Sequence, residues 1–210
     1  LAPVIGDLLV RGGGSWRLTM LFGLLIAIII WGWSFRITES LDSANRRDLS
    51  FSATKQGLRV VFQNRVTIGY AITLLFSGGA FYSFLSSSEL IISEIFQKPT
   101  WFVPYFSITM VVMAAVALTG SRVVGRVGAR QLGHGALAFQ MGVSLLMLAL
   151  ALSTDGVPPV GLWMVLMTAQ IAAMVVMMPT MTTMALEPMG AVAGTAASTI
   201  GFITMSIGAL

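Results

Sequence analysis

Six stretches of this chain, 18–35, 66–88, 99–121, 131–154, 156–186 and 188–210, contain no Asp, Glu, Lys or Arg. Every charged residue lies in the gaps between them or ahead of the first. A helix needs roughly 20 mostly apolar residues, at about 1.5 Å rise each, to cross a bilayer's hydrocarbon. Charge inside hydrocarbon is costly, and an unpaired backbone there must be satisfied within its own helix. Confinement of charge to the gaps therefore predicts an all-α, polytopic helical membrane protein.

The loops set the orientation. The connector 36–65 carries Arg36, Arg46, Arg47, Lys55, Arg59 and Arg65, and the connector 120–131 carries Arg122, Arg126 and Arg130. Two spans separate them, so they share a side, and the positive-inside rule makes that side cytoplasmic. The other side holds Arg11, Arg17, Glu89, Glu94, Lys98 and Asp155, which balance. Trp16, Trp31, Trp33, Trp101 and Trp163 all lie near predicted span ends, where indole rings favour the headgroup level. Within 36–65, Leu58, Val61 and Phe62 alternate with Lys55 and Arg59. That spacing fits a short amphipathic helix on the cytoplasmic surface, and a plain solvated loop is the other reading.

Composition narrows the function classes. The chain is 56% hydrophobic and 10% charged, against about 25% charged in soluble domains. Its mean hydropathy is +0.89. It has no cysteine, which excludes disulfides and thiolate metal sites. His134 is its only histidine and reads as an interface residue, so no metal site or cofactor is expected. No catalytic triad, phosphate loop or carboxylate pair is visible, so no enzyme activity is expected. The basic residues are not gathered on a soluble domain, which argues against nucleic acid. Residue 1 is Leu, residues 1–10 are apolar, and Arg11-Gly12-Gly13-Gly14-Ser15 reads as the first break. The last run reaches Leu210 without a closing charge. The expectation is a chain that starts inside one helix, stops inside another and is inactive alone.

Polar residues within spans are candidates for function, because hydrocarbon does not solvate them. Asp7 is either a buried titrating carboxylate or an outer-interface residue. Gln140 and Gln170 bond either a ligand or a neighbouring helix. Met164, Met167, Met174, Met177, Met178, Met181 and Met184 crowd one run. Methionine suits a pocket for varied apolar ligands, and equally lipid contact or packing. Pro179 in that run removes a backbone donor and predicts a bend. Phe81 and Phe84, one turn apart beside Tyr82, line a cavity or pack a core. Ser77-Gly78-Gly79-Ala80 interrupts one span. Gly190 with Gly194, and Ala197 with Gly201, have the spacing that lets helices approach closely.

Leu1-Ala2-Pro3-Val4-Ile5-Gly6 resembles the end of the antiporter motif of drug exporters, with Ala2 and Asp7 at positions that are normally glycine. Ser15-Trp16-Arg17, Glu39-Ser40-Leu41 with Arg46-Arg47, and Ser83-Phe84-Leu85-Ser86-Ser87-Ser88 match further family features. Ser121 to Arg130, with Arg122, Arg126, Gly128 and Arg130, resembles a cytoplasmic basic motif whose usual Asp is here Gly125. Ala185-Leu186-Glu187-Pro188-Met189-Gly190, running into Ala193 to Ser198, is the closest match. Together they resemble the Bcr/CflA drug:proton antiporters of the major facilitator superfamily, from late helix five to within helix eleven.

The resemblance implies a twelve-helix transporter of two halves, with substrate bound between them near the midplane. It assigns residues 1–35 to the end of the N-terminal bundle, 36–65 to the cytoplasmic link and 66–210 to the C-terminal bundle. It makes Phe81, Tyr82, Gln170 and Met174 substrate-cavity residues, and it places the proton-carrying carboxylate in the N-terminal half beyond this chain, with Asp7 the substitute candidate within it. It gives Pro3, Gly6, Arg122, Arg126, Gly128, Arg130, Pro179 and Glu187 conformational or motif roles. The expectation is a monomeric multi-pass protein of the bacterial inner membrane, exchanging protons for small amphipathic drugs. The alternatives are a facilitator of another small solute and a non-transporting scaffold or sensor.

Overall fold

In a computed structural model, residues 2–13, 15–37 and 51–206 are described. Glu39, Ser40, Leu41, Arg46 and Arg47 lie outside the described residues, as does the end of the last apolar run. The chain divides into two units, Leu1–Leu49 and Ser50–Leu210.

The first unit holds α1 (Ala2–Gly13) and α2 (Arg17–Ser34). The expected break at Arg11 begins later, because α1 continues through Gly13. Ser15 Oγ accepts from the Arg17 amide at 3.2 Å and starts α2. No residue of α2 is buried. The Arg17 guanidinium lies 5.8 Å from the Trp16 ring and that of Arg36 5.9 Å from the Trp33 ring. Both ends of α2 thus pair a cation with an aromatic face.

The second unit is built from α3 (Phe51–Gln63), α4 (Arg65–Leu90), α5 (Phe102–Val127), α6 (Ala129–Ser153), α7 (Val160–Leu186) and α8 (Ala193–Ser206). No strand occurs among the described residues. Five helical segments, α2, α4, α5, α6 and α7 with their short extensions, are long and apolar enough to cross a membrane. The run 188–210 differs. It opens with a 3-10 turn, Glu187–Val192, and its α-helix begins only at Ala193. Pro188 supplies the reason, since it cannot donate to the preceding turn.

Of the two readings of the long connector, the structure takes the helix: α3 occupies 51–63. It packs on α8, with Val61 fully buried against Met189 and Ala196. Asn64 is extended (φ −86°, ψ 109°), and its Oδ1 accepts from the amides of Val66 and Thr67. This side-chain cap separates α3 from α4.

The connector expected at 120–131 is almost absent. α5 continues through Arg122 and Arg126 to Val127, and α6 starts at Ala129. Gly128 alone joins them, at φ +84° and ψ 154°. Only glycine enters that region without strain. Gly128→Ala is expected to lower stability by about 1–3 kcal/mol. Gly125→Ala, on the preceding turn and facing open space, should gain up to about 1 kcal/mol of helix propensity. Thermal unfolding in detergent checks both, and equal shifts would show that backbone strain is not the cause.

Close helix approach also falls elsewhere than expected. Gly190, Gly194 and Gly201 face open space. It is Gly133 on α6 that meets α7, where an added Cβ would lie 2.7 Å from Thr180 Oγ1. The span containing Ser77-Gly78-Gly79-Ala80 is a continuous helix, with Gly78 against Thr204 of α8. α7 likewise runs unbroken through Pro179, whose side chain is exposed. The Thr180 hydroxyl donates to the carbonyls of Val176 and Met177, both at 2.8 Å, and so binds the backbone beside the proline.

Candidate functional site

Helix α7 is the hub, with α4, α5 and α6 packed around it. Its contacts with α4 form two closed layers. In the inner layer, at the end nearest Asn64, Ala71 and Leu74 of α4 pack on Met177, Met181 and Met184 of α7 and Ile200 of α8. The Thr67 hydroxyl donates to the Ala185 carbonyl at 2.9 Å and ties the helix ends together. The outer layer is aromatic. Phe84 stacks on Phe106 at 5.7 Å, and Trp163 lies 5.4 Å from Phe96 and 6.0 Å from Tyr105. A π-helical turn, Ile91–Ile95, ends α4 and buries Ile92 in this layer. Trp163, expected in an interfacial belt, is only 5% exposed and belongs to the aromatic core. Its place on the first turn of α7, opposite α4, turns the ring inward.

Between the layers lies a cavity of about 300 Å³. From α4 it is lined by Phe81, Ser83, Phe84 and Ser87, and from α7 by Met167, Gln170 and Met174. On α7 the spacing is three to four residues, the repeat of one helical face, and on α4 Phe81 with Phe84 and Ser83 with Ser87 pair at the same repeat. Trp163 closes the outer end. No charged residue among those described lines the cavity. Its polar groups are the Gln170 amide and two serine hydroxyls, set among apolar and thioether surface. Such a wall suits an uncharged or weakly polar guest with a hydrogen-bonding group.

The structure brings Phe81, Gln170 and Met174 together in this cavity and leaves Tyr82 out. Tyr82 is 37% exposed and turned about 100° around α4, its ring 5.9 Å from Phe81. Ser83 and Ser87 also line it and were not singled out as cavity residues from sequence, and Met167 was named only within the methionine-rich run. Their signal was the periodicity of α4 and α7, readable only once the facing helix was known. The methionines separate by position. Met167 and Met174 line the cavity, Met177, Met181 and Met184 pack the inner layer, and Met178 flanks it. Gln140 is buried on α6 away from the cavity, with no hydrogen-bond partner for its Oε1 among the described residues.

Arg122, Arg126, Arg130 and Glu187 lie at the end of the second unit nearest Asn64. Arg122 and Arg126 are exposed on the last turns of α5, where positive charge complements the helix dipole. Arg130 is exposed on the first turn of α6, and its carbonyl lies 2.7 Å from His134 Nδ1. Glu187 is exposed where α7 gives way to the 3-10 turn. Pro3, Gly6 and Asp7 are on α1, and only the backbone is described for Pro3 and Asp7.

Membrane-length helices packed around α7, with an uncharged pocket between α4 and α7, define a polytopic helical membrane protein. The chain belongs to the Major Facilitator Superfamily, whose family profile it matches over residues 1–210. It is 26% identical to a bicyclomycin resistance protein homolog of Haemophilus influenzae, over the whole of this chain and 52% of that protein. It is 24% identical to the uncharacterized MFS-type transporter YdgK of Bacillus subtilis, again over the whole chain and 52% of the relative. The chain thus spans about half the length of these relatives. The first match bears out the resemblance to the Bcr/CflA branch. No solved structure matches at the same stringency.

Proposed function

We propose that this chain is part of a proton-coupled exporter of small amphipathic compounds in the bacterial inner membrane. The observation that carries the reading is the cavity between α4 and α7. It has Gln170, Ser83 and Ser87 as its polar groups, methionine and aromatic walls, and no charge. A sugar would leave hydroxyls unpaired against such walls, and an organic anion would find no cation. A drug with a large apolar surface and one or two polar groups is matched. The Haemophilus relative is named a bicyclomycin resistance protein homolog, which supports export of an antibiotic.

In this reading residues 1–35 end one helical bundle, 36–65 link the halves and 66–210 form most of the second. Substrate and proton favour opposite openings of the carrier, which is the requirement for exchange. The proton-carrying carboxylate belongs to the N-terminal half, and Asp7 is the candidate for it within this chain. Arg122, Arg126, Gly128 and Arg130 form the inner hinge on which α5 and α6 move together.

The test is efflux of a panel of antibiotics and dyes from cells carrying the gene, with and without a protonophore. Expected is efflux that the protonophore abolishes. Efflux that survives the protonophore would point to a facilitator. No efflux despite confirmed membrane insertion would overturn transport and favour a scaffold or sensor.

A further inference from the structure

Helix α3 meets α8 through a small face. Among residues 54–63 only Gly57 and Val61, one turn apart, are buried. A Cβ added at Gly57 would lie 3.0 Å from Thr195 Cγ2 and 3.3 Å from Thr195 Cβ, so a larger side chain there would press the two helices apart. Val61 packs on Ala196 of α8 and on Met189, both buried. Met189 is the joint between α7 and α8. Its backbone, at φ −106° and ψ 16°, leaves the helical region inside the turn Glu187–Val192. Docked α3 therefore lies against that joint and the first turn of α8 together.

Undocking costs little. Lys55, Gln56, Arg59 and Gln63 are exposed already, so release uncovers Val61 and the small surface beneath it. Parting α4 from α7 would instead uncover both packed layers. The cost of a local opening grows with the apolar area it exposes, so α3 leaves before those layers part. The extended residue Asn64 allows the motion. Its side chain holds the amides of Val66 and Thr67, which keeps α4 capped wherever α3 lies. The Thr67 bond to the Ala185 carbonyl keeps α4 on α7. The element that release sets free is the start of α8.

We propose that α3 is a detachable clasp on the inner end of α8. Docked, it fixes the α7/α8 joint at Met189. Released, it lets the first turn of α8 move, and each turnover of the carrier passes through the released state. The part in turnover rests on the export reading, and the clasp itself does not.

The experiment uses the full-length protein in inside-out vesicles, with any cysteine outside this chain replaced by serine. Ala196→Cys places a thiol beneath Val61, and it should react slowly with a water-soluble maleimide. Adding Val61→Ala or Gly57→Leu should speed that reaction roughly tenfold or more. Ala71→Cys, buried in the layer between α4 and α7, should stay unreactive in every background. The pair Gly57→Cys with Thr195→Cys then locks the clasp, because its Cβ spacing of 3.3 Å is close to the roughly 3.8 Å of a disulfide. Oxidation should join the pair without lowering the melting temperature and should stop transport, and dithiothreitol should restore it. A thiol at 196 that reacts no faster in the Val61 and Gly57 variants would overturn the clasp. So would reaction at 196 and 71 together, or a pair that oxidant fails to join. An oxidised pair that transports at the reduced rate would overturn the part in turnover. A wild type that moves no substrate would refute the export reading and the part in turnover with it, while the maleimide rates still decide the clasp.

Discussion

Ser83→Trp is expected to cut efflux roughly tenfold or more, the loss of about 1.4 kcal/mol or more of binding, while the protein remains folded and inserted. Ligand cavities run from about 300 to 1,000 Å³, so one of about 300 Å³ has no volume to spare for an indole. Ser83 is exposed into the cavity, and the new ring fills space rather than displacing core. Gln170→Leu probes the same cavity by chemistry instead of volume. The two side chains are similar in size, so only the amide is lost. Substrates that hydrogen-bond to it should lose roughly tenfold in apparent affinity, and purely apolar ones should lose little. Transport assays on inside-out vesicles with paired substrates check both. Full activity in Ser83→Trp would place the substrate path outside this cavity.

Trp163→Ala carries the largest expected cost in stability. The indole touches Phe84, Phe96 and Tyr105 and closes the outer end of the cavity. Removing it leaves a void that four elements would have to collapse to fill. The usual transfer term is small here, because lipid rather than water is the reference environment. What remains is lost dispersion and cavity energy, about 2–4 kcal/mol. The melting temperature in detergent should fall accordingly, and Trp163→Phe should recover most of it. A second readout separates seal from scaffold. If the ring also gates the cavity, Trp163→Ala at low temperature should accept bulkier substrates than wild type. An unchanged melting temperature would show that the aromatic layer does not hold α4 to α7.

The all-α membrane class was legible from charge placement alone, since hydrocarbon forbids charge wherever a helix crosses. Helix limits were less legible. α5 carries Arg122 and Arg126 in its last turns because long side chains reach the headgroups while the backbone stays helical. A rule that ends helices at charge therefore stopped α5 one turn and more too early. The cavity was half legible. The family resemblance pointed to Phe81, Tyr82, Gln170 and Met174, and three of the four line it. Ser83 and Ser87 passed as family spacing, and Tyr82 was drawn in by adjacency to Phe81.

Composition and charge spacing thus determined the class, the number of long apolar runs and the side on which basic residues gather. These are properties of single helices against lipid, and each can be read along one segment. Which face of a helix meets which neighbour was decided only by the tertiary structure. In hydrocarbon an outward and an inward apolar side chain have nearly the same cost, so hydrophobicity no longer marks the interior. That is why Trp163 and Met177 are core while Trp101 is not. Close packing at Gly133, the Thr67 bond to Ala185 and the inward turn of Gln170 made the distinction.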